Sequence, residues 1–383
     1  MASLDPQEQA RYARQVRLPQ VGTAGQAALK ASSVLIVGAG GLGSPAALYL
    51  VAAGIGRIGI ADGDRVDITN LQRQILYGMS DVGRAKTDSA AQTLRSINPH
   101  ITVETIGERV TSANALDLVS RFDVVIDGTD NFPTRYLLSD ACVLTATPLV
   151  YGSVDRFEGQ VSVFVAKGGP CYRCLFPSPP EPGTVQNCAD AGVLGVLPGL
   201  VGTAQATEVL KLLLGIGEPL VGRLLMVDAL RMSFRTIAVE RDPACPACGT
   251  REIRELIDYE TFCSGSSTQD PSTTDDTVIA TITPRELAQT LQDGHSITLI
   301  DVREPYEWNF ARISGAKLIP LGTLESALGT IDPHADVVVY CHHGTRSEMA
   351  AYALRDAGVR RVRNLVGGID RWSREVDPSV PRY

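Results

Sequence analysis

The chain has 383 residues, of which 44% are hydrophobic and 20% carry a charged side chain. This balance is typical of a globular protein with an ample core, and the length predicts about two or three domains. The formal net charge of −8 argues against nucleic acid or a membrane surface as a direct partner. The first residues include Asp5 and Glu8 and no apolar run, so we expect no export signal and a cytoplasmic protein.

The first motif is VLIVGAGGLGSP at residues 34–45, in which an apolar run leads into closely spaced glycines. This pattern predicts a strand–loop–helix turn that holds a nucleotide phosphate. Gly38 allows the tight turn, Gly40 lets the backbone approach the phosphates, and Gly43 lets the helix pack against the strand. The helix N-terminus would offer free N–H groups to the anion. Alone, the motif indicates NAD or FAD as readily as any other nucleotide.

Beyond the glycine loop, predicted strands and helices alternate, which indicates a doubly wound parallel sheet. Ligands of such sheets bind at the carboxyl ends of the strands. By that rule, we expect one crevice to be lined by the glycine loop, Asp62, the polar stretch 69–73 and the pair Asp130–Asn131. The predicted elements are a helical stretch over 5–30, helices over 44–53, 83–96 and 133–145, and strands over 57–62, 101–108, 123–127 and 149–154.

Residues 264–277 carry almost no apolar side chains, so they predict a flexible linker between two domains. The region after the linker has the length of an independent α/β domain. Further predicted elements are a strand over 160–165, a helix over 203–214 and strands near 223–240 before the linker, and strands over 297–302 and 337–341 with a helix over 347–357 after it.

Two C-x-x-C pairs, Cys171 with Cys174 and Cys245 with Cys248, lie in the first region. With no export signal, they indicate metal binding or thiol chemistry rather than a disulfide framework. Two such pairs supply the four thiolates of a tetrahedral zinc site, which would be structural because no coordination position stays open. Two unrelated thiol pairs, or a redox pair, are the alternatives.

The second region contains the loop Cys341-His-His-Gly-Thr-Arg346 between an apolar strand and a helix. The helix dipole and Arg346 would both favour a thiolate, the reactive form of Cys341. Four residues separate the cysteine from the arginine, one fewer than in a C-x5-R phosphatase loop. The smaller ring suits a persulfide better than a phosphate. The alternative is a buried cysteine that happens to precede a helix.

The second region resembles a rhodanese, a sulfurtransferase domain. Its matching residues are Asp301–Glu304, Trp308, Ile313–Ala316, Ile319–Pro320, the Cys341 loop and Gly367–Trp372. The resemblance implies that Cys341 carries a persulfide. Arg312 is a departure, because many relatives have a histidine there.

The first region resembles the molybdopterin-synthase and thiamine-pathway adenylyltransferases, relatives of the ubiquitin-activating enzymes. The resemblance rests on motifs that occur in order along the chain. Fusion of this domain to a rhodanese is typical of enzymes that activate small ubiquitin-like sulfur carriers. The matching residues are Gly38–Gly43, Asp62, Thr69–Arg73, Lys86, Asp130–Asn131 and the two cysteine pairs.

The resemblance implies an α/β architecture with a Rossmann-like, ubiquitin-activating-type adenylation domain, a mixed sheet and a structural zinc site, followed by a C-terminal α/β rhodanese domain. We expect the adenylyltransferase domain at residues 1–260, the linker at 261–277 and the rhodanese domain at 278–383.

By the same resemblance, ATP with Mg²⁺ converts the C-terminal Gly-Gly carboxylate of a sulfur carrier protein into an acyl adenylate. Arg73 and Lys86 would stabilise the phosphate charge, and Asp130 would hold the magnesium. Arg14 would reach the ATP of the partner subunit in a homodimer. The implied nucleotide-binding residues are Gly38, Gly40, Gly41, Gly43, Asp62, Thr69, Asn70, Leu71, Gln72, Arg73, Lys86, Asp130 and Asn131, with Asp62 on the ribose and Asn70 near the phosphates.

The persulfide of Cys341 would then attack the activated carboxyl and leave a thiocarboxylate on the carrier. A cysteine desulfurase or thiosulfate would supply the sulfur. Cys188 would form a thioester or a mixed disulfide, or be a loop thiol without a catalytic part. The carrier is left open between molybdopterin, thiamine, cysteine and tRNA-thiolation routes. Two other functions remain as alternatives: a dinucleotide-dependent oxidoreductase with an attached rhodanese, and a non-catalytic scaffold that docks a carrier.

Overall fold

The computed structural model describes residues 4–166, 168–180, 192–264 and 279–382. The chain divides into two compact units, Met1–Ser267 and Thr268–Tyr383. Each unit has its own sheet and its own core, and both have the predicted α/β architecture. Within the described residues, no helix combines the length and the apolar character needed to cross a bilayer.

The first unit is built on a mixed sheet of eight strands in the order β3-β2-β1-β4-β5-β6-β7-β8. Strands β1 to β5 pair in parallel and β5 to β8 pair antiparallel, which confirms the expected mixed sheet. The strands are β1 (Ser33–Val37), β2 (Arg57–Ala61), β3 (Thr102–Ile106), β4 (Val124–Asp127), β5 (Leu149–Asp155), β6 (Glu158–Phe164), β7 (Arg223–Asp228) and β8 (Ser233–Ala238).

Helices cover both faces of this sheet, because its central strands are buried on both sides. One core lies under α3, α4 and α8, and the other lies under α5 and α6. The helices are α1 (Pro6–Val16), α2 (Gly22–Ala31), α3 (Gly43–Ala53), α4 (Lys86–Ile97), α5 (Ala115–Ser120), α6 (Phe132–Thr145), α7 (Tyr172–Leu175), α8 (Leu197–Leu214) and α9 (Tyr259–Ser264), with a short 3₁₀ turn at Ile68–Asn70.

Several of these elements differ from the sequence-based prediction. The helix predicted over 83–96 begins only at Lys86. The stretch over 5–30 is two helices, because the chain turns between Val16 and Gly22. Helix α8 begins at Leu197 rather than at 203, since Pro198 lies in its first turn, where a missing N–H leaves no bond unmade. Residues 261–264, expected to be linker, are the end of α9.

Helix α9 holds its place through aromatic packing. The Phe262 and Tyr136 rings pack edge-on with their centroids 5.3 Å apart, and Tyr259 is buried. Cys142 is fully buried on α6. The rest of the predicted linker, from residue 265 to 277, lies outside the described residues.

The second unit contains a parallel five-stranded sheet in the order β11-β10-β12-β13-β9. Its central strand β12 is apolar and buried, and it ends directly before Cys341. The elements are β9 (Ala280–Ile282), α10 (Pro284–Gln292), β10 (Ile297–Asp301), α11 (Pro305–Phe310), β11 (Lys317–Leu318), α12 (Leu324–Ala327), β12 (Asp336–Tyr340), α13 (Thr345–Asp356), β13 (Arg361–Leu365) and α14 (Gly368–Glu375).

Candidate active sites

The glycine loop lies between β1 and α3, at the point where the sheet order reverses between β1 and β4. Gly38 has φ +90°, and a Cβ there would lie 2.7 Å from the carbonyl oxygen of Gly128. A Cβ at Gly43 would lie 2.0 Å from the carbonyl oxygen of Gly38. Only glycine therefore fits at both positions, and the loop stays close to the turn that follows β4.

Asp62 follows β2 and ties the glycine loop to its surroundings. Its Oδ2 accepts a hydrogen bond from the Ala39 N–H at 2.9 Å, and its Oδ1 accepts one from the Asp64 N–H at 2.8 Å. Lys86 Nζ lies 3.7 Å from Asp62 and 3.1 Å from Asp64. The Lys86 side chain is only 8% exposed, so two carboxylates hold a nearly buried ammonium group. It lies at the edge of the sheet that carries the glycine loop, which we call the nucleotide edge.

The segment 69–73 packs on the other side of the loop. A Cβ at Gly41 would lie 3.4 Å from Arg73 Cγ, and Arg73 donates a hydrogen bond to the Thr69 carbonyl at 3.2 Å. Asn70 accepts the Asp67 N–H through Oδ1 and caps the short 3₁₀ turn. The structure thus places the Arg73 guanidinium stem against the glycine loop.

The other side chains of this segment, and the adjacent Gln74, pack against their surroundings. Leu71 packs against the first core, and Gln72 contacts Gly195 so closely that no Cβ would fit there. Gln74 is buried, and its Nε2 would lie 3.7 Å from a Cβ at Gly40.

The turn after β4 carries Asp130 and Asn131. The Asp127 side chain is buried and accepts hydrogen bonds from the N–H and hydroxyl of Thr129. Burial raises the pKa of Asp127. Arg135 donates to the Thr129 carbonyl from the other side at 3.2 Å. Asn131 caps α6 by accepting the Thr134 N–H.

Asp130 is exposed and forms no salt bridge within the described part of the chain. Arg14 is also exposed, but it lies on α1, whose neighbour Gln15 donates to the Ala53 carbonyl at the end of α3. Helix α3 begins at the glycine loop, so the contact of Gln15 is with the end of α3 that is remote from that loop. Cys188 lies outside the described residues.

The four paired cysteines form one cluster. Their sulfur atoms all lie within 4.8 Å of one another. The Cys171–Cys174, Cys171–Cys245 and Cys174–Cys248 distances are 3.9, 3.6 and 3.3 Å. A tetrahedral site with Zn–S bonds of about 2.3 Å has sulfur atoms about 3.8 Å apart, so the donor set fits zinc. Burial raises the pKa of Cys171, and that of Cys174 to about 11.

This cluster is attached to the end of the first unit by a buried ionic network. Arg173, between the first two cysteines, binds Asp140 with bonds of 2.9 and 2.8 Å, and Tyr259 donates to the same carboxylate at 2.7 Å. The Arg173 guanidinium also lies over the rings of Tyr136 and Phe262. The cysteine pair, α6 and α9 therefore form one packed group.

In the second unit, Cys341 lies at the carboxyl end of β12 and is 1% exposed. Its Sγ receives a hydrogen bond from the Gly344 N–H at 3.1 Å and lies 3.4 Å from Ser347 Oγ. Gly344 has φ +113°, which favours glycine and turns the loop back towards the sulfur. The Cys341 carbonyl accepts the Ile369 N–H, which fixes the loop to the start of α14.

Arg346 was expected to act on the sulfur by its charge. In the structure its guanidinium forms a two-bond ion pair with Glu307. The charge of Arg346 is thus offset by a carboxylate at the same depth. The pair joins α11 to the first turn of α13, and the first contribution of Arg346 is to hold the loop in shape.

The two histidines of the loop have different environments. His342 is 3% exposed, and burial lowers its pKa to about 4, so it is neutral at pH 7. His343 stacks on it at 4.1 Å between ring centroids and is 38% exposed. His343 Nδ1 lies 4.0 Å from Asp370 Oδ2.

Several residues of these sites were not found from the sequence. Arg135, Glu307, Ser347 and Asn364 contact site residues through tertiary packing, and no spacing rule marks them. A single local signal existed for Glu307, which is three residues after Glu304 at the start of a helix and completes a capping box.

Each of the two units matches a known protein family. Residues 12–247 match the model of the ThiF family, and residues 283–375 match that of the rhodanese-like domain. The chain belongs to the ThiF family. Both resemblances read from the sequence are thereby confirmed.

Relatives that match over the whole length of this chain are named for both activities, adenylyltransferase and sulfurtransferase. The probable adenylyltransferase/sulfurtransferase MoeZ of Mycobacterium tuberculosis is 46% identical, covering 100% of this chain and 97% of the relative. The adenylyltransferase and sulfurtransferase MOCS3 of Sus scrofa is 44% identical, covering 100% and 89%. The sulfur carrier protein adenylyltransferase of Thermus thermophilus is 55% identical over 66% of this chain and 96% of its own length.

Solved structures agree with the fold of the first unit. The crystal structure of E. coli MccB with ATP superposes with a TM-score of 0.56 at 23% identity, covering 64% of this chain and 75% of that one. The chain is therefore related to adenylyltransferases and sulfurtransferases, and these comparisons do not support the alternative of a dinucleotide-dependent oxidoreductase.

Proposed function

We propose that this enzyme adenylylates the C-terminal Gly-Gly carboxylate of a small ubiquitin-like sulfur carrier protein and then converts it to a thiocarboxylate. Sulfur reaches the carrier from a persulfide on Cys341. One observation carries the proposal. A nucleotide edge with a nearly buried Lys86 and a rhodanese loop around Cys341 occur in a single chain. Its relatives over the full length are named for both activities.

Adenylylation requires positive charge where the α-phosphate is attacked, because a carboxylate nucleophile and a phosphate repel each other. Lys86 and Arg73 supply that charge beside the glycine loop. Two aspartates hold Lys86 in place before the nucleotide arrives, so little reorganisation is needed. Asp62 binds the ribose of ATP, and Asn70 keeps its amide Nδ2 for a phosphate oxygen.

Asp130 is the residue that would hold Mg²⁺, since its carboxylate is exposed beside the glycine loop and forms no salt bridge within the described residues. The ion would screen the phosphate charge. The buried Asp127 and Arg135 position the turn on which Asp130 lies.

The four clustered cysteines would hold a structural Zn²⁺. Burial disfavours four neighbouring thiolates without a cation, so metal binding and folding are coupled at this cluster. Hydrogen bonds among Arg173, Asp140 and Tyr259 connect this cluster to α9, so an ordered cluster also stabilises that helix.

The sulfur step takes place at Cys341. A donor of the cysteine desulfurase or thiosulfate type loads it with a sulfane sulfur. The terminal sulfur attacks the carbonyl of the acyl adenylate, AMP leaves, and an acyl disulfide joins the carrier to Cys341. A thiol then reduces this disulfide and releases the thiocarboxylate. Cys188 is a candidate for that thiol.

The active assembly is a homodimer in the cytoplasm. Gln15, next to Arg14, contacts the end of α3 that is remote from the glycine loop, so we expect Arg14 to reach the ATP of the partner subunit rather than that of its own chain. Arg14→Ala should then be rescued in mixed dimers with a chain that carries an intact Arg14 and a defective Lys86.

The test of the first half-reaction is ATP–pyrophosphate exchange. Exchange should depend on a Gly-Gly-ended carrier and disappear when its last two glycines are removed. Cys341→Ala should leave this exchange unchanged. Exchange that needs no carrier C-terminus, or tight NAD binding with no exchange, would contradict the proposal.

A further inference from the structure

A buried amide group lies against the glycine loop of the first unit. Gln74 is 4% exposed, and a Cβ at Gly40 would lie 3.7 Å from its Nε2 atom. Gly40 has no side chain, so the amide nitrogen faces the backbone of the loop. Gln74 lies one position beyond the segment 69–73 that we expect to bind the nucleotide.

Contacts on both sides fix the position of this amide. Arg73, the preceding residue, lies with its Cγ 3.4 Å from a Cβ at Gly41. Tyr77, three residues after Gln74, donates its hydroxyl to the Ala39 carbonyl at 2.8 Å. Three consecutive residues of the glycine loop therefore face three side chains of the segment 73–77. The amide lies between a guanidinium stem and a phenol, and both of these lie against the loop.

The fold itself makes no use of the Gln74 amide. Its Oε1 atom is buried, and among the described residues neither that oxygen nor Nε2 has a hydrogen-bond partner. A buried polar atom without a partner lowers stability, whereas an apolar side chain of similar length would fill the space without that cost. An unpaired buried polar group calls for an explanation, and a catalytic role is one of them. The place of the amide, beside the loop expected to bind phosphate, favours that role.

We propose that Gln74 is a further catalytic residue for adenylylation, and that its Nε2 donates a hydrogen bond to a non-bridging oxygen of the α-phosphate of ATP. Gly40 is the position at which the loop backbone approaches the phosphates, so a donor that faces Gly40 lies beside them. The inference rests on the proposed function, because it assigns a contact within the same reaction.

The amide acts on the charge that develops during the attack on ATP. An oxygen of the carrier carboxylate forms a bond to the α-phosphorus, the bond to the departing oxygen breaks, and pyrophosphate leaves with that electron pair. The non-bridging oxygens carry negative charge in this transition state, and a donor that is fixed beforehand stabilises it. Gln74 keeps both of its amide hydrogens throughout. Lys86 and Arg73 supply positive charge at the same step, and Gln74 adds a neutral donor that orients the phosphate.

Gln74→Met removes the donor and keeps an unbranched side chain. It should lower kcat/KM for ATP in carrier-dependent pyrophosphate exchange by about 10²-fold, as expected for the loss of one preorganised donor. The thermal midpoint should not fall, since the substitution also removes an unpaired buried amide. Gln92→Met is the matched control, because Gln92 is exposed on α4 and accepts a hydrogen bond from Arg84. An equal loss of exchange in both variants would overturn the proposal.

The decisive test uses ATPαS, in which sulfur replaces one non-bridging α-oxygen. Sulfur accepts hydrogen bonds weakly, so the Sp and Rp diastereomers remove the two candidate acceptors of Gln74 in turn. The ratio of their exchange rates should differ from that of the wild type by about tenfold in Gln74→Met. Gln74→Glu, which is similar in size and has no donor at pH 7, should show the same change and decides if Gln74→Met does not fold. The wild-type ratio in these variants would overturn the proposal.

Failure of this proposal is distinguishable from failure of the proposed function. Exchange by the wild type with unmodified ATP tests adenylylation, whereas the ratio between diastereomers tests the Gln74 contact. Calorimetric binding of each diastereomer to the full chain, without carrier, measures the same contact if exchange is absent. The diastereomer preference in binding should then differ between wild type and Gln74→Met, and equal preferences would overturn the proposal.

Discussion

Glu307 and Arg346 form a buried ion pair with two hydrogen bonds, at 2.7 and 2.9 Å, and side chains that are 3% and 6% exposed. The pair connects α11 to the helix that follows the sulfur loop. Both charges have left water, so each depends on the other to remain buried. The shape of the loop around Cys341 therefore depends on a residue that precedes it by more than thirty positions.

Glu307→Gln should destabilise the second unit by about 3 kcal/mol, because it leaves a buried guanidinium without its counter-charge. Urea unfolding followed by tryptophan fluorescence measures this, since the only two tryptophans in the sequence, Trp308 and Trp372, lie in the second unit. The control is Arg285→Gln, which removes an exposed ion pair with Glu375 and should leave the midpoint unchanged. Equal effects of the two substitutions would refute the importance of the buried pair.

His342 predicts a pH dependence of stability in the acid range. Burial lowers its pKa to about 4 in the folded chain, against 6.5 in the unfolded chain. Between these values the unfolded chain binds a proton that the folded chain does not, so stability falls as pH falls from 6.5 towards 4. The loss from this residue is at most about 3 kcal/mol and ends below the folded pKa.

His342→Gln should remove that part of the slope. The measurement is the urea midpoint of the tryptophan signal at several pH values for wild type and variant. His334→Gln, at an exposed histidine, is the matched control and should keep the wild-type slope. A variant His342→Gln with the full wild-type slope would show that His342 protonates in the folded state.

Lys86→Gln should reduce carrier-dependent pyrophosphate exchange by about 10²–10³-fold, as expected when a positioned charge is removed from a transition state. The KM for ATP should change less than kcat if Lys86 acts chiefly in the transition state. Arg84→Gln is the control. Arg84 lies two residues before the start of α4, is exposed and forms an ion pair with Asp81. Equal losses in both variants would point to damage of α4 rather than to chemistry.

Cys174→Ser should lower the bound zinc from about one per chain to almost none and destabilise the first unit. Metal analysis of the purified protein measures the first effect, and thermal unfolding measures the second. Cys263→Ser serves as control, since Cys263 packs against the second core and lies outside the cysteine cluster. Wild-type protein without zinc would show that the four thiols serve another purpose.

Local patterns predicted the central elements well. The apolar run before Gly38 is a fully buried strand, and the glycines lie where the chain approaches the turn after β4. The two C-x-x-C turns also lie together, as predicted. That prediction came from the four thiolates that a zinc site requires, so it did not depend on the structure of the residues between the two pairs.

Tertiary contacts account for what the sequence did not predict. Glu307 and Asn364 contact the sulfur loop from a different helix and a different strand. The capping box marks Glu307 as a helix-start residue, but it does not indicate a contact with Arg346. The charge of Arg346 could be read from the sequence, but its pairing with Glu307 could not. For the same reason, the contact of Gln15 on α1 with the end of α3 could not be predicted from the sequence.

In the proposed function, one chain both activates a carrier carboxylate and supplies its sulfur. The most direct measurement is the intact mass of a Gly-Gly-ended carrier incubated with the enzyme, ATP, Mg²⁺, a sulfur source and a thiol reductant. The wild type should produce the mass gain of one sulfur-for-oxygen exchange, and Cys341→Ser should produce no gain. The same mass gain with Cys341→Ser would contradict it and would favour a scaffold that only docks the carrier.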